Sequence, residues 1–147
     1  MATALALGCR PAARPATGAA GAAAPVELAT LAGTSWVLAA WREGEPAAPT
    51  PQVSLRYAAG SFRGRSACNR YSAPVEQRPG RGAIAVGAIT VTRMMCPEPG
   101  AGIERRFLAT LGGAKALERR DGRLHIVTVG ADGRPSTLIF TAETTTH

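Results

Sequence analysis

From Thr34 onward apolar and polar positions fall into short runs with the period of strands, interrupted once by a period of 3.6. TSWVLAAW (34–41) is apolar, carries two Trp and predicts a buried strand. QVSLRY (52–57) sets Val53, Leu55 and Tyr57 on one face against Ser54 and Arg56 on the other. AAG (58–60) turns the chain, with Gly60 at the position that needs a positive φ, and SFRGRSA (61–67) returns as the second arm of a hairpin. CNRYSAPVEQ (68–77) continues extended, RPGRG (78–82) is a second turn, and AIAVGAITVT (83–92) is β-branched, with Gly87 marking a bulge or bend.

The period then changes. PEPGAGIERRFLATLGG (97–113) spaces Ile103, Phe107, Leu108 and Leu111 along one helical stripe and turns Arg105 and Arg106 away from it. Glu104 falls in the expected first turn, where the helix dipole favours a carboxylate, and Gly112-Gly113 is a stop signal. AKALERR (114–120) and RLHIVTVG (123–130) flank Asp121-Gly122, a strong hairpin signal. ADGRP (131–135) supplies another turn, STLIFTAE (136–143) closes the domain, and the terminal TTTH frays.

About eight short strands joined by tight turns give an antiparallel sheet, and eight is the number that closes into a small barrel filled by its own side chains. The fold class is mostly β (α+β): a small antiparallel β-barrel-like or strongly curved sheet with one packed amphipathic helix. It occupies residues 31–143.

Residues 1–30 follow another pattern. The segment from Arg10 to Ala24 is rich in Ala, Pro and Gly without periodic large apolar residues, which predicts a disordered tether. Before it, a short apolar stretch ends in Gly8-Cys9, similar to the end of a bacterial lipoprotein signal but without a basic start and with too few apolar residues. Two readings stand: a chain that begins inside a longer signal, with Cys9 as the lipidated residue, or an Ala-rich leader with a free thiol.

The chain has 147 residues, one ordinary domain, and no run near the roughly 20 apolar residues of a membrane span. Aromatic residues are only 5%, so Val, Ile, Leu and a few rings must make the core. Net charge is +7, and all the basic residues but Lys115 are Arg. That charge fits attraction to anionic headgroups, polyanions or nucleic acid. It equally fits a solvated surface written in Arg, which the lack of a long basic run favours.

Candidate chemistry centres on Cys68 and Cys96. Structural zinc needs paired ligands, and these cysteines stand alone; no metal or other cofactor is expected. A CxxC redox pair is absent. His125 is the only base within the fold for a cysteine nucleophile, and its alternation with Leu124 and Ile126 turns it toward the wet face, so no catalytic residue is assigned. Two alternatives remain, a disulfide staple or two buried thiols. A staple would stabilise by about 3–4 kcal/mol and would require an oxidising compartment. Asn69 is suited to open backbone groups at a strand end, Tyr71 needs a partner for its hydroxyl, and Thr92 and Arg93 lie where they can reach back. Phosphate loops, HExxH and Gly-x-Ser-x-Gly are absent. Tyr57, Phe62 and Tyr71 among Arg56, Arg63, Arg65 and Arg70 make only a faint single-strand nucleic-acid platform, and no nucleic-acid partner is expected.

GSFRGRSACNRYSAPV, GAITVTRMMCPEP and IERRFLATL together resemble the META domain family, which includes the HslJ-type heat-shock lipoproteins. Cys68, Asn69, Arg70 and Tyr71 match its first stretch; Thr92, Arg93, Met94, Met95 and Cys96 match its second; Glu104, Phe107 and Leu111 fit its helix. The likeness runs over roughly residues 31–142, with Ser72-Ala73-Pro74 where a glycine often follows the aromatic residue. It implies a barrel-like fold with a helix, an envelope location (periplasm, or a membrane reached through a lipid anchor), and association with heat shock and novobiocin resistance. It carries no catalytic activity, and it makes the motif residues structural.

The resulting expectation is a non-enzymatic, monomeric envelope stress-response module with a structural or binding role, meeting a membrane through a lipid anchor or an anionic envelope surface. Two alternatives stand beside it: a small-ligand carrier barrel, and a cytoplasmic basic barrel that binds anions or nucleic acid.

Overall fold

The structure, a computed structural model, describes residues 22–130 and 132–143. The readings of Cys9, of most of the tether and of the terminal TTTH lie outside the described residues. Order begins ahead of Thr34. A two-residue strand β1 (Ala24–Pro25) pairs with Glu118 and Arg119, and a 3-10 turn follows at Leu28–Leu31. Val26, Leu28 and Leu31 are buried, and the Leu28 amide donates to the Gln77 side chain at 2.9 Å. The folded part thus takes in residues assigned above to the tether, because these few apolar side chains find a place on the core.

The remaining strands are β2 (Ser35–Arg42), β3 (Glu45–Pro46), β4 (Ser54–Ala58), β5 (Ser61–Arg65), β6 (Arg70–Gln77), β7 (Ile84–Val86), β8 (Thr90–Val91), β9 (Ala114–Arg120), β10 (Arg123–Val129) and β11 (Pro135–Ala142). They form an 11-stranded antiparallel sheet in the order β1-β9-β10-β11-β2-β4-β5-β6-β7, with β3 beside β2 and β8 beside β6. The expected eight are all present. The extra strands are β1, β3 and the division of the 83–92 run into β7 and β8, where Gly87 donates to the Pro74 carbonyl at 2.8 Å and leaves the ladder. The sheet is not closed by a ladder, but its curvature brings β7 round to β9. A single bridge, Ala83 to Ala116, and a 2.8 Å hydrogen bond from Leu117 N to the Gly82 carbonyl join the two ends.

Turn chemistry fixes the registers. Asp121 (φ 52°) and Gly122 (φ 74°) both adopt the left-handed region between the paired Arg120 and Arg123. Ala59 (φ 50°) and Gly60 (φ 75°) do the same between Ala58 and Ser61. A two-residue turn with positive φ at both positions matches the twist of the strands it joins.

The single helix, α1 (Gly100–Gly112), lays Phe107 and Leu111 fully buried into the concave face, with Ile103 and Leu108 partly buried beside them. The Phe107 ring meets Tyr71 edge-on at 5.2 Å and Phe140 at 6.4 Å. Burying such a side chain contributes about 1.5–3 kcal/mol. Thr128, fully buried on β10, donates its hydroxyl to the Thr110 carbonyl at 2.8 Å and so satisfies an orphan group of the last helical turn. Arg106 points away from the core stripe, as expected, yet is not idle: it stacks 4.3 Å from the Trp41 ring centroid and pairs with Glu45 at 2.6 Å. Phe62, Phe107, Phe140, Leu55, Leu117 and Leu124 fill the interior.

Candidate functional site

The CNRY and TRMMC stretches meet at one place, where the turn between β5 and β6 faces the segment between β8 and α1. Cys68 and Cys96 are joined by a disulfide with 5.6 Å between their Cα atoms. Of the two readings left open above, the structure adopts the staple. Gly100, the first residue of α1, lies against it: a Cβ there would stand 2.6 Å from the Cys68 sulfur and 3.1 Å from that of Cys96. The helix can start at this point only because the residue has no side chain.

Asn69 is the hub. It is buried, and each of its polar atoms is engaged. Its amide nitrogen Nδ2 donates to Glu104 Oε1 at 2.8 Å, and its backbone N–H donates to Glu104 Oε2 at 2.9 Å. Its Oδ1 accepts from Met94 N at 2.7 Å and from the Thr92 hydroxyl at 3.1 Å. Its carbonyl accepts from Ser66 N at 2.8 Å. An amide side chain carries its donor and its acceptor on separate atoms, so it can donate to a carboxylate through one and accept from a backbone N–H through the other.

Glu104 lies beyond the first helical turn, since α1 begins at Gly100, so the dipole reading given above does not hold. Its carboxylate instead faces the turn and also accepts from the Ser66 hydroxyl at 2.7 Å. Burial pushes its pKa up, but the hydrogen bonds from Asn69, Ser66 and the Cys68 amide together outweigh that and hold the carboxyl below its ordinary value. The helix N-terminus is served by Glu98, whose Oε2 accepts from Gly102 N at 3.0 Å.

Thr92 relays between the strands. Its hydroxyl accepts from Arg70 N at 3.0 Å while donating to Asn69. Tyr71 is buried, its ring against Phe107, and its hydroxyl donates to the Ser54 carbonyl at 2.8 Å; burial raises its pKa well above the usual range. Asn69, Tyr71 and Thr92 thus spend their polar side-chain atoms on holding this turn together. Arg70, Arg93, Met94 and Met95 turn their side chains outward. Arg70 and Arg93 are exposed, Met94 is 69% exposed and Met95 98%, so this part of the motif acts through its backbone.

His125 corrects another expectation. It is buried, because both faces of β10 are covered, and Leu124, His125 and Ile126 are buried in succession. Burial lowers its pKa, the Arg120 charge lowers it further, and Glu43 and Glu118 oppose them. The half-cystines hold no free thiol for it to activate. The aromatic–arginine platform also fails as drawn: Phe62 and Tyr71 point into the core, while Arg56, Arg63, Arg65 and Arg70 point out. Among the described residues no group of three or more His, Cys, Asp or Glu is placed to hold a metal ion.

Sequence reasoning missed Glu104 as the partner of Asn69. The missing signal was an acidic residue on the helical face that also carries Phe107 and Leu111, one and two turns before them.

Known proteins bear on this arrangement. The META domain model matches residues 29–143. The chain is similar to a solved protein from Burkholderia xenovorans, determined by NMR, with 26% identity over 95% of this chain and 100% of that one, and a TM-score of 0.59. A second NMR structure matches in fold at 19% identity and a TM-score of 0.59, over 79% of this chain and 94% of the other. No curated protein matches the chain significantly.

Proposed function

Because this chain belongs to the META domain family, a family of stress-related and structural domains, we propose that it is a non-enzymatic stress-response module of the cell envelope, of the HslJ heat-shock type, with a structural or binding role. The observation that carries the proposal is the Cys68–Cys96 staple under the Asn69–Glu104 hub. Asn69, Thr92 and Glu104 spend their polar atoms on one another and on backbone, which supports a structural use of these stretches. A disulfide at that place suits an oxidising compartment and is out of keeping with the cytosol.

The filled interior weighs against a small-ligand carrier, since the space a carrier needs is taken by Phe62, Phe107 and Phe140. The inward rings weigh against a nucleic-acid barrel, since bases need exposed rings to stack on.

The test is thiol counting by intact mass on protein purified from its native host, alkylated before and after reduction. Cys68 and Cys96 resistant to alkylation until reduced support the export reading, and lipid mass on Cys9 would locate the anchor. Free alkylation of both in denatured, unreduced protein would overturn it.

A further inference from the structure

The outer face of the β4–β5–β6 segment carries two cross-strand pairs that stability alone does not favour. Arg56 stands directly opposite Arg63, and Arg65 directly opposite Arg70. All four side chains are exposed. Like charges directly opposite on one face of an antiparallel pair are destabilising. Among the described residues no carboxylate lies within ion-pair distance of any of the four. Elsewhere Arg42, Arg105, Arg106 and Arg120 each have a glutamate, while Arg78, Arg81, Arg93, Arg119, Arg123 and Arg134, like the four here, have no carboxylate within ion-pair distance among the described residues. Arg120 and Arg123 are also directly opposite, but Arg120 has Glu118 beside it; only here do two opposed pairs without a carboxylate lie side by side.

A groove of about 660 Å³ is lined by Arg56, Arg63, Arg65 and Arg70 together with hydroxyl side chains, and Glu143 is the single carboxylate among its lining residues. Such a volume suits a small ligand. The registers order the groups into rows. Ser35, Arg56, Arg63, Ser72 and Thr90 follow one another across β2, β4, β5, β6 and β8. Arg65 and Arg70 form the next row, two residues along, or about 7 Å away at the rise of a strand. Close approach of β4 and β5 shapes the floor: a Cβ on Gly64 would collide with the Ser54 carbonyl, and the Ser54 hydroxyl accepts from Arg65 N at 2.9 Å.

We propose that this groove is an anion site that takes a ligand bearing two clustered phosphate groups, one on each arginine pair, with Ser35 and Ser72 supplying hydroxyls. The guanidinium fork matches phosphate oxygens two at a time, and a bound dianion converts two repulsive pairs into attractive ones. The groove has no exposed ring for a base, so phosphate is the recognised chemistry, and its source is either a free phosphorylated compound or a lipid headgroup. The site goes beyond the family reading and stands whichever compartment the protein occupies.

The experiment uses the full chain, inorganic pyrophosphate as the free probe, and vesicles containing cardiolipin, which carries two phosphates, against phosphatidylcholine vesicles as the lipid probe, at about 50 mM salt. Arg63→Gln/Arg65→Gln removes one member of each pair; Arg78→Gln/Arg81→Gln is the control of equal charge. Saturable pyrophosphate binding, weakened at least tenfold in the first variant and within twofold of wild type in the control, supports the site and a free ligand. Retention on cardiolipin vesicles alone, lost in the first variant and displaced by pyrophosphate, supports a headgroup. The ligand-free Arg63→Gln/Arg65→Gln protein is expected to melt at higher temperature than wild type. No saturable binding to either probe, or equal loss in both variants, would overturn the proposal.

Discussion

Glu104 and Asn69 hold each other through two hydrogen bonds, 2.8 Å from the side-chain amide and 2.9 Å from the backbone N–H, across 35 residues of chain. Removing either partner strands the other. Glu104→Ala leaves the Ser66 hydroxyl and both Asn69 donors without their acceptor and is expected to cost about 2–4 kcal/mol, measured by urea denaturation. Asn69→Asp sets a second carboxylate against Glu104. That variant is expected to lose stability at pH 7 and to recover part of it near pH 4, where the two carboxylates share a proton; a loss independent of pH would refute the contact.

Gly100→Ala probes the fit of the helix start against the disulfide. With the Cys68–Cys96 bond in place, the added methyl meets the Cys68 sulfur and is expected to cost about 1–3 kcal/mol. In a Cys68→Ala/Cys96→Ala background the same change should cost nearly nothing. A double-mutant cycle of thermal melts checks this, and additive losses would sink it.

The staple itself encloses a sequence separation of 28. Reduction, or Cys68→Ala/Cys96→Ala, is expected to lower stability by about 3–4 kcal/mol in the chain-entropy picture, read as a lower denaturation midpoint with the fold's circular dichroism retained.

Glu104 and His125 both contribute to the acid limb of stability, beside Glu45 and Glu98, whose carboxyls are held below their ordinary value by hydrogen bonds from Arg106 and Arg105. Glu104 has a folded pKa below its ordinary 4.5, so its contribution is complete above that value and is lost as pH falls through the folded one. His125 likewise has a folded pKa below 6.5; the unfolded chain takes up its proton first, so stability is full above pH 6.5 and declines as pH falls. Melting temperatures recorded from pH 7 to 3 should therefore fall in two stages, and Glu104→Gln should flatten the lower one. An NMR titration of His125 with a midpoint at or above 6.5 would contradict its burial.

What the sequence revealed was mostly local. Asp121-Gly122 and Ala59-Gly60 marked their hairpins because positive φ leaves few residues to choose from, and Phe107 and Leu111 marked the helix by spacing. What stayed hidden depended on distant partners. Alternation placed His125 opposite Leu124 and Ile126 correctly, but a strand with both faces covered buries either parity. Val26 and Leu28 looked too sparse to fold until β9 and Gln77 received them. The place of Glu104 on the buried helical face with Phe107 and Leu111 hinted at an inward partner, but only the fold shows that the partner is Asn69. The arginines were legible as charge, and only the strand register turned them into opposed pairs.

The hub also sets how the protein opens. Asn69 N–H is covered by Glu104, Met94 N–H by Asn69, and Arg70 N–H by Thr92. None of these amides can reach solvent by the fraying of one segment, since each is shielded by a residue from another. In hydrogen exchange they should behave as one cooperative unit with a common opening free energy, so that Met94, exposed in its side chain, is slow at its backbone amide.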